Sequence, residues 1–139
     1  MQRHASQYFA LFASWFALAS FAGNEVNERV KLELAKLMNP NSIVVISLHS
    51  PKEKVWGILL ELNPSGVTVR GIDLNSFDHF VRQVNEPDGE RIGLPTVFFP
   101  MTRVERISLD EPSGSIPSMA EIFERKIGRS LTEYLAQFA

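Results

Sequence analysis

Three histidines, His4, His49 and His79, are the chain's imidazoles, and no two stand four apart as a helical metal pair requires. There is no cysteine, which removes thiolate metal sites, disulfides and cysteine nucleophiles together. Asp73, Asp78 and His79 form the one close group of acid and imidazole. Helical neighbours point about 100° apart, so on a helix Asp78 and His79 cannot converge on one reacting atom. They read as a solvated helix start. Glu86, Asp88 and Glu90 alternate in the manner of calcium ligands, but the later bidentate glutamate of such a loop is missing, which leaves a solvated turn. No G-x-G-x-x-G, G-x-x-x-x-G-K-[ST] or G-x-S-x-G pattern occurs, so phosphate-loop and nucleophile-elbow chemistry has no support. Neither an enzyme, a metal nor a cofactor is expected.

Two arginines are left, Arg103 and Arg106, close together beside the last apolar run. Such a pair can meet ligand phosphates, although arginines are also common on an exposed strand face. Trp56 faces opposite to Val55 and Gly57 in an extended run, and reads as core or interface rather than a base-stacking platform. Gly57 and Gly71, inside apolar runs, mark close backbone approach or a sharp bend.

The element that must position these residues is a hairpin. Val55 to Leu62 and Val67 to Ile72 are short, β-branched and apolar, and they flank Asn63-Pro64-Ser65-Gly66. Proline presets φ at the second turn position and glycine relieves the exit, as a type I turn favours. Ser42 to Leu48 reads as the strand before it; Thr96 to Phe99 and Val104 to Leu109 read as two strands after it, bent apart at Pro100-Met101-Thr102. Between them Phe77, Phe80, Val81 and Val84 follow helical spacing, with Asn75 or Ser76 as the cap. The period also predicts a helix over Asn24 to Met38, with Val26, Val30, Leu34, Leu37 and Met38 on one face. After a Ser-, Gly- and Pro-rich linker from Asp110 to Pro117, Ser118-Met119-Ala120-Glu121 forms a capping box. It opens a closing helix whose apolar stripe runs to Phe138, with Gly128 a break point.

The whole chain is 139 residues, 45% apolar and 22% charged, enough for one domain with a real core and no staples. A formal net charge of −2 argues against a broad nucleic-acid footprint, and DNA is not expected as a partner. Tyr8 to Ala22 carries no charge but falls short of the roughly 20 residues a spanning helix needs. Three readings of residues 1–23 stay open: a signal or membrane anchor, an extension packed on the domain or a partner, and a start placed upstream of the true first residue. A membrane enters only through residues 8–22 as an anchor. The expected compartment is otherwise the cytoplasm, with export through residues 1–23 the alternative.

The order of these parts resembles the Sm-like (LSm) family, small five-stranded barrels that form rings and bind RNA. The likeness spans about residues 26 to 109 and is best over Ile43 to Ile72, where the second strand carries Gly57 and then apolar Leu59. Val104-Glu105-Arg106-Ile107 resembles the family's final strand. The resemblance implies a mainly β (α+β) fold: a small five-stranded SH3/Sm-like barrel with an N-terminal helix over 24–110, a short helix before the fourth strand, and a C-terminal helix in 111–139. The family's base-holding Asp and Asn have no full counterpart in Asn63-Pro64-Ser65-Gly66, and its Arg-Gly pair falls at Pro100-Met101. The expected function is therefore a non-enzymatic, homo-oligomeric protein-interaction or scaffold module, with an RNA-binding ring the alternative. Phe98, Phe99, Val104 and Ile107 would form the oligomer edge, and Arg103 and Arg106 the RNA contacts.

Overall fold

The computed structural model describes Glu25, Arg29 and residues 38–139. The chain divides into two compact units, Met1–Leu37 and Met38–Ala139. In the first, Glu25 and Arg29 are helical and pair at 3.4 Å, four residues apart. The rest of the helix expected over Asn24 to Met38 lies outside the described residues, apart from Met38 itself, which is in a turn. The uncharged run 8–22 lies outside them too. No helix among the described residues is long and apolar enough to cross a membrane.

The second unit is a five-stranded antiparallel sheet with helices on one face. Its strands are β1 (Ile43–Leu48), β2 (Glu53–Asn63), β3 (Gly66–Asp73), β4 (Thr96–Pro100) and β5 (Val104–Leu109). They are ordered β4-β3-β2-β1-β5. The helices are α1 (Phe77–Asn85), α2 (Met119–Ile127) and α3 (Leu131–Ala136). The fold is thus mainly β in the α+β sense, and each expected strand lies within a residue or two of its observed span.

The central hairpin forms around the expected turn, Asn63 opposite Gly66, and a register shift between Leu59 and Glu61 then sets Gly57 opposite Gly71. Its turn is held by the Asn63 side chain, whose Oδ1 accepts from the N–H groups of Ser65 (2.9 Å) and Gly66 (3.3 Å). Gly66 does not have positive φ, so relief of turn strain is not its role. A Cβ there would stand 2.3 Å from the Phe99 carbonyl oxygen: β4 requires the space. Gly57 and Gly71 do mark close backbone approach. A Cβ on Gly57 would lie 2.3 Å from the Arg70 carbonyl oxygen and 2.5 Å from the Gly71 Cα. Two facing glycines let both strands bend sharply at that rung.

The bend is needed because only Met101–Arg103, a 3₁₀ turn, links β4 to β5. Four Cα steps span at most roughly 15 Å, whereas the outer strands of a flat five-stranded sheet stand roughly 19 Å apart at about 4.8 Å per strand. The sheet must curl. It does not close into the expected barrel: among the described residues no ladder joins β4 to β5. The backbone groups at the closing corner are engaged elsewhere. The Met101 N–H donates to Ser65 O (2.9 Å), and Arg103 O accepts from the His49 N–H (3.0 Å).

Curling encloses one apolar cluster and leaves the other face to the helices. Val44, Ile46 and Leu48 of β1, Val55 and Leu59 of β2, and Val67 and Val69 of β3 fill the inside. On the outside Trp56 and Ile58 pack with Phe77, Phe80 and Val81 of α1, Phe123 of α2, and Leu131, Tyr134 and Leu135 of α3. This two-sided burial explains why Val55 to Leu59 is apolar without alternation. Trp56 is 0% exposed, edge-on to Phe77 at 5.0 Å between ring centroids.

The helix starts are legible in part. Both halves of the Ser118/Glu121 capping box form, and Gly128 ends α2 with φ of 83°. A second box at Ser130 and Glu133 opens α3, so the single closing helix expected from the stripe is two. Ser76 stands at the N-cap of α1 but makes no side-chain capping bond. Asp73 caps the preceding 3₁₀ turn instead, accepting from the Asn75 N–H at 2.7 Å.

Candidate functional site

The two outer strands are the first candidate. β4 bonds only to β3 and β5 only to β1 among the described residues, so each presents one unpaired side of backbone N–H and C=O groups. Phe98 projects from β4 and is 51% exposed, although its ring leans over Gly66. Phe99, Val104 and Ile107 instead turn inward and are half-buried against the inner cluster. Of the four residues expected at this edge, Phe98 offers a side chain to a partner; the others offer backbone.

Arg103 and Arg106 have different surroundings. The Arg103 guanidinium donates to His49 O (2.9 Å), Pro51 O (3.2 Å) and Glu53 Oε2 (2.9 Å). It clamps the β1–β2 turn. Arg106 is exposed and lies opposite Ser47 of β1, which in turn lies opposite Lys54 of β2. Lys54, Ser47 and Arg106 therefore form one row across three strands, on the face that carries Trp56. They line an open groove of about 560 Å³, walled on its other side by Leu74 and Asn75.

The remaining chemical candidates disperse. Asp78 pairs with Lys126 (3.5 Å), Asp73 is a cap, and His79 is exposed. His49 Nδ1 lies 3.3 Å from Ser50 Oγ at the surface, and His4 lies outside the described residues. Glu86, Asp88 and Glu90 are exposed loop residues. Among the described residues no group of three His, Asp or Glu side chains could hold a metal ion. Burial pushes the Tyr134 phenol above its ordinary value of 10.0, with the charges of Arg129 and Arg91 pulling the other way. Its O–H donates to Ile92 O at 2.6 Å.

Neither type nor spacing singles out Asp110, at the start of the linker. Its carboxylate accepts from Trp56 Nε1 (2.9 Å) and from the N–H groups of Met119 (2.9 Å) and Ala120 (2.8 Å). It fastens the first turn of α2 to the centre of β2. Lys54 and Ser47 escape the sequence too; strand alternation places Lys54 on the Trp56 face, but its alignment with Arg106 depends on the β5 register. No protein-family model, no curated protein and no solved structure matches the chain.

Proposed function

We propose that this chain is a non-enzymatic Sm-like module, a curled and open barrel-type sheet that assembles with copies of itself and serves as a scaffold for a protein partner. The observation that carries the reading is the pair of antiparallel edges left unpaired among the described residues at opposite ends of one sheet, β4 with exposed Phe98 and β5. Adding β5 of one copy to β4 of the next would continue both ladders. Such contacts are heterologous, and they make a ring where the rotation closes. The devices that blunt each edge, Pro100 at the end of β4 and charged Glu105 and Arg106 on β5, fit edges kept for a specific partner rather than for indiscriminate pairing. The engagement of Arg103 with the β1–β2 turn speaks against the RNA-ring alternative, since it leaves Arg106 as the exposed member of the pair.

Light scattering on the full chain tests this. A closed oligomer is expected, and Phe98→Asp should lower its mass, because the substitution sets a charge in the contact at an exposed position of the fold. A wild-type monomer across the micromolar range refutes self-assembly.

A further inference from the structure

We propose that the groove across Lys54, Ser47 and Arg106 binds the phosphate of a phosphorylated, hydroxyl-bearing small molecule. Two cross-strand steps place the Lys54 and Arg106 backbones roughly 10 Å apart, with Ser47 between them. Both side chains are long enough to meet above the Ser47 hydroxyl. Phosphate is the group this set suits: a guanidinium fork for two oxygens, an ammonium for a third, and a hydroxyl donor beneath.

These cations lack the kind of partner that Arg103, Lys126 and Arg70 have. Arg103 pairs with Glu53, Lys126 with Asp78, and Arg70 donates to Leu94 O. Among the described residues Lys54 and Arg106 make no ion pair, nor does Lys52 beside them in the groove. Arg103 holds the Glu53 carboxylate at 2.9 Å, so three cations face one unpaired carboxylate, Glu105. That is a local positive field on a chain of net charge −2. Ser47 is 8% exposed, and no described group hydrogen-bonds its hydroxyl, although no buried polar side-chain atom among the described residues is left without a partner. The hydroxyl is therefore open to the groove.

The rest of the lining sets the ligand class. A volume of about 560 Å³ exceeds what a bare phosphate needs and lies in the range of small-molecule sites. No aromatic side chain among the described residues lines the groove, which deprives a nucleobase of the stacking that single-stranded nucleic-acid sites use. Asn75 and Glu105 offer hydrogen bonds to hydroxyls, and Leu74 an aliphatic wall. A sugar phosphate fits this set; an RNA strand does not. The inference does not depend on oligomerisation, since it uses a sheet face rather than an edge.

Calorimetric titration of the full chain with ribose 5-phosphate, inorganic phosphate, ribose and an oligouridine tests it. Ribose 5-phosphate is expected to bind more tightly than inorganic phosphate, ribose not to bind, and binding to weaken with salt. Lys54→Gln and Arg106→Gln should each weaken ribose 5-phosphate by about tenfold, close to one charge-assisted contact. Both positions are exposed, so thermal unfolding of the variants should match wild type. No binding of ribose 5-phosphate at millimolar concentration overturns the proposal, as does affinity unchanged in the double variant. Oligouridine binding that falls with the same substitutions, without binding of the sugar phosphate, overturns it in favour of RNA.

Discussion

Replacing Asp110 with alanine removes the acceptor of three hydrogen bonds in one step, and its effect can be worked from the geometry. Trp56 is fully buried, so its indole N–H, 2.9 Å from Oδ2 in the native chain, loses its partner where water does not reach. An orphaned buried donor costs about 1–3 kcal/mol. The Met119 and Ala120 N–H groups belong to the first turn of α2 and are half-buried. Losing that cap costs about 0.5–2 kcal/mol, less the part water restores. Asp110→Ala should thus destabilise the protein by about 3 kcal/mol, or roughly 10 °C in Tm for a chain of this size. Asp110→Asn should cost about half as much, because an amide oxygen in place of Oδ2 still serves Trp56 and Ala120 while the NH₂ faces the Met119 N–H. Urea unfolding read by Trp fluorescence and far-UV dichroism measures both, and the Trp56→Phe background isolates the indole bond as a coupling of about 1–2 kcal/mol. A loss under about 0.5 kcal/mol in Asp110→Ala, or no coupling to Trp56, would refute the latch.

Two further perturbations probe the sheet and the helical layer. Gly57→Ala drives a Cβ into backbone of β3, 2.3 Å from Arg70 O, where no side chain can move aside; a loss of about 3 kcal/mol or more is expected in thermal unfolding, and wild-type stability would show that the glycine rung does not set the bend. Tyr134 has its phenol pKa raised by burial, so below about pH 10 it is neutral in both folded and unfolded chains and adds no pH dependence. Above that the unfolded chain ionises first, and stability falls as pH rises through the folded value. Tyr134→Phe should remove that alkaline decline while costing about 1 kcal/mol at neutral pH for the bond to Ile92 O; parallel wild-type and variant profiles between about pH 9 and 11 would contradict the assignment.

Local signals carried the elements. Val55 to Leu62 and Val67 to Ile72 read as short strands, and Asn63 to Gly66 as a turn, because β-branching, proline and glycine act within a few residues. The Ser118/Glu121 box is equally local: both of its hydrogen bonds span three residues. The neighbouring box at Ser130 and Glu133 obeys the same rule and was legible, but the apolar stripe running through Gly128 masked it.

What the chain alone could not decide was which side of each strand meets what. Gly66 reads as a turn residue, and its tight neighbour is Phe99 O of a strand more than thirty residues away. Arg103 and Arg106 read alike as adjacent cations. The β5–β1 pairing, shifted between Ser47 and Leu48, gives one to the β1–β2 turn and the other to a row with Ser47 and Lys54. Asp110 reads as linker, yet it caps α2 and bonds Trp56 54 positions away. The edges left open among the described residues follow from tertiary structure as well, since a three-residue link forces the sheet to curl while its own backbone groups bond to Ser65 and His49 rather than between β4 and β5. Propensity and periodicity act over a few residues and were readable in sequence; register, curl and the pairing of distant polar groups arise from long-range contacts, and the folded sheet alone determines them.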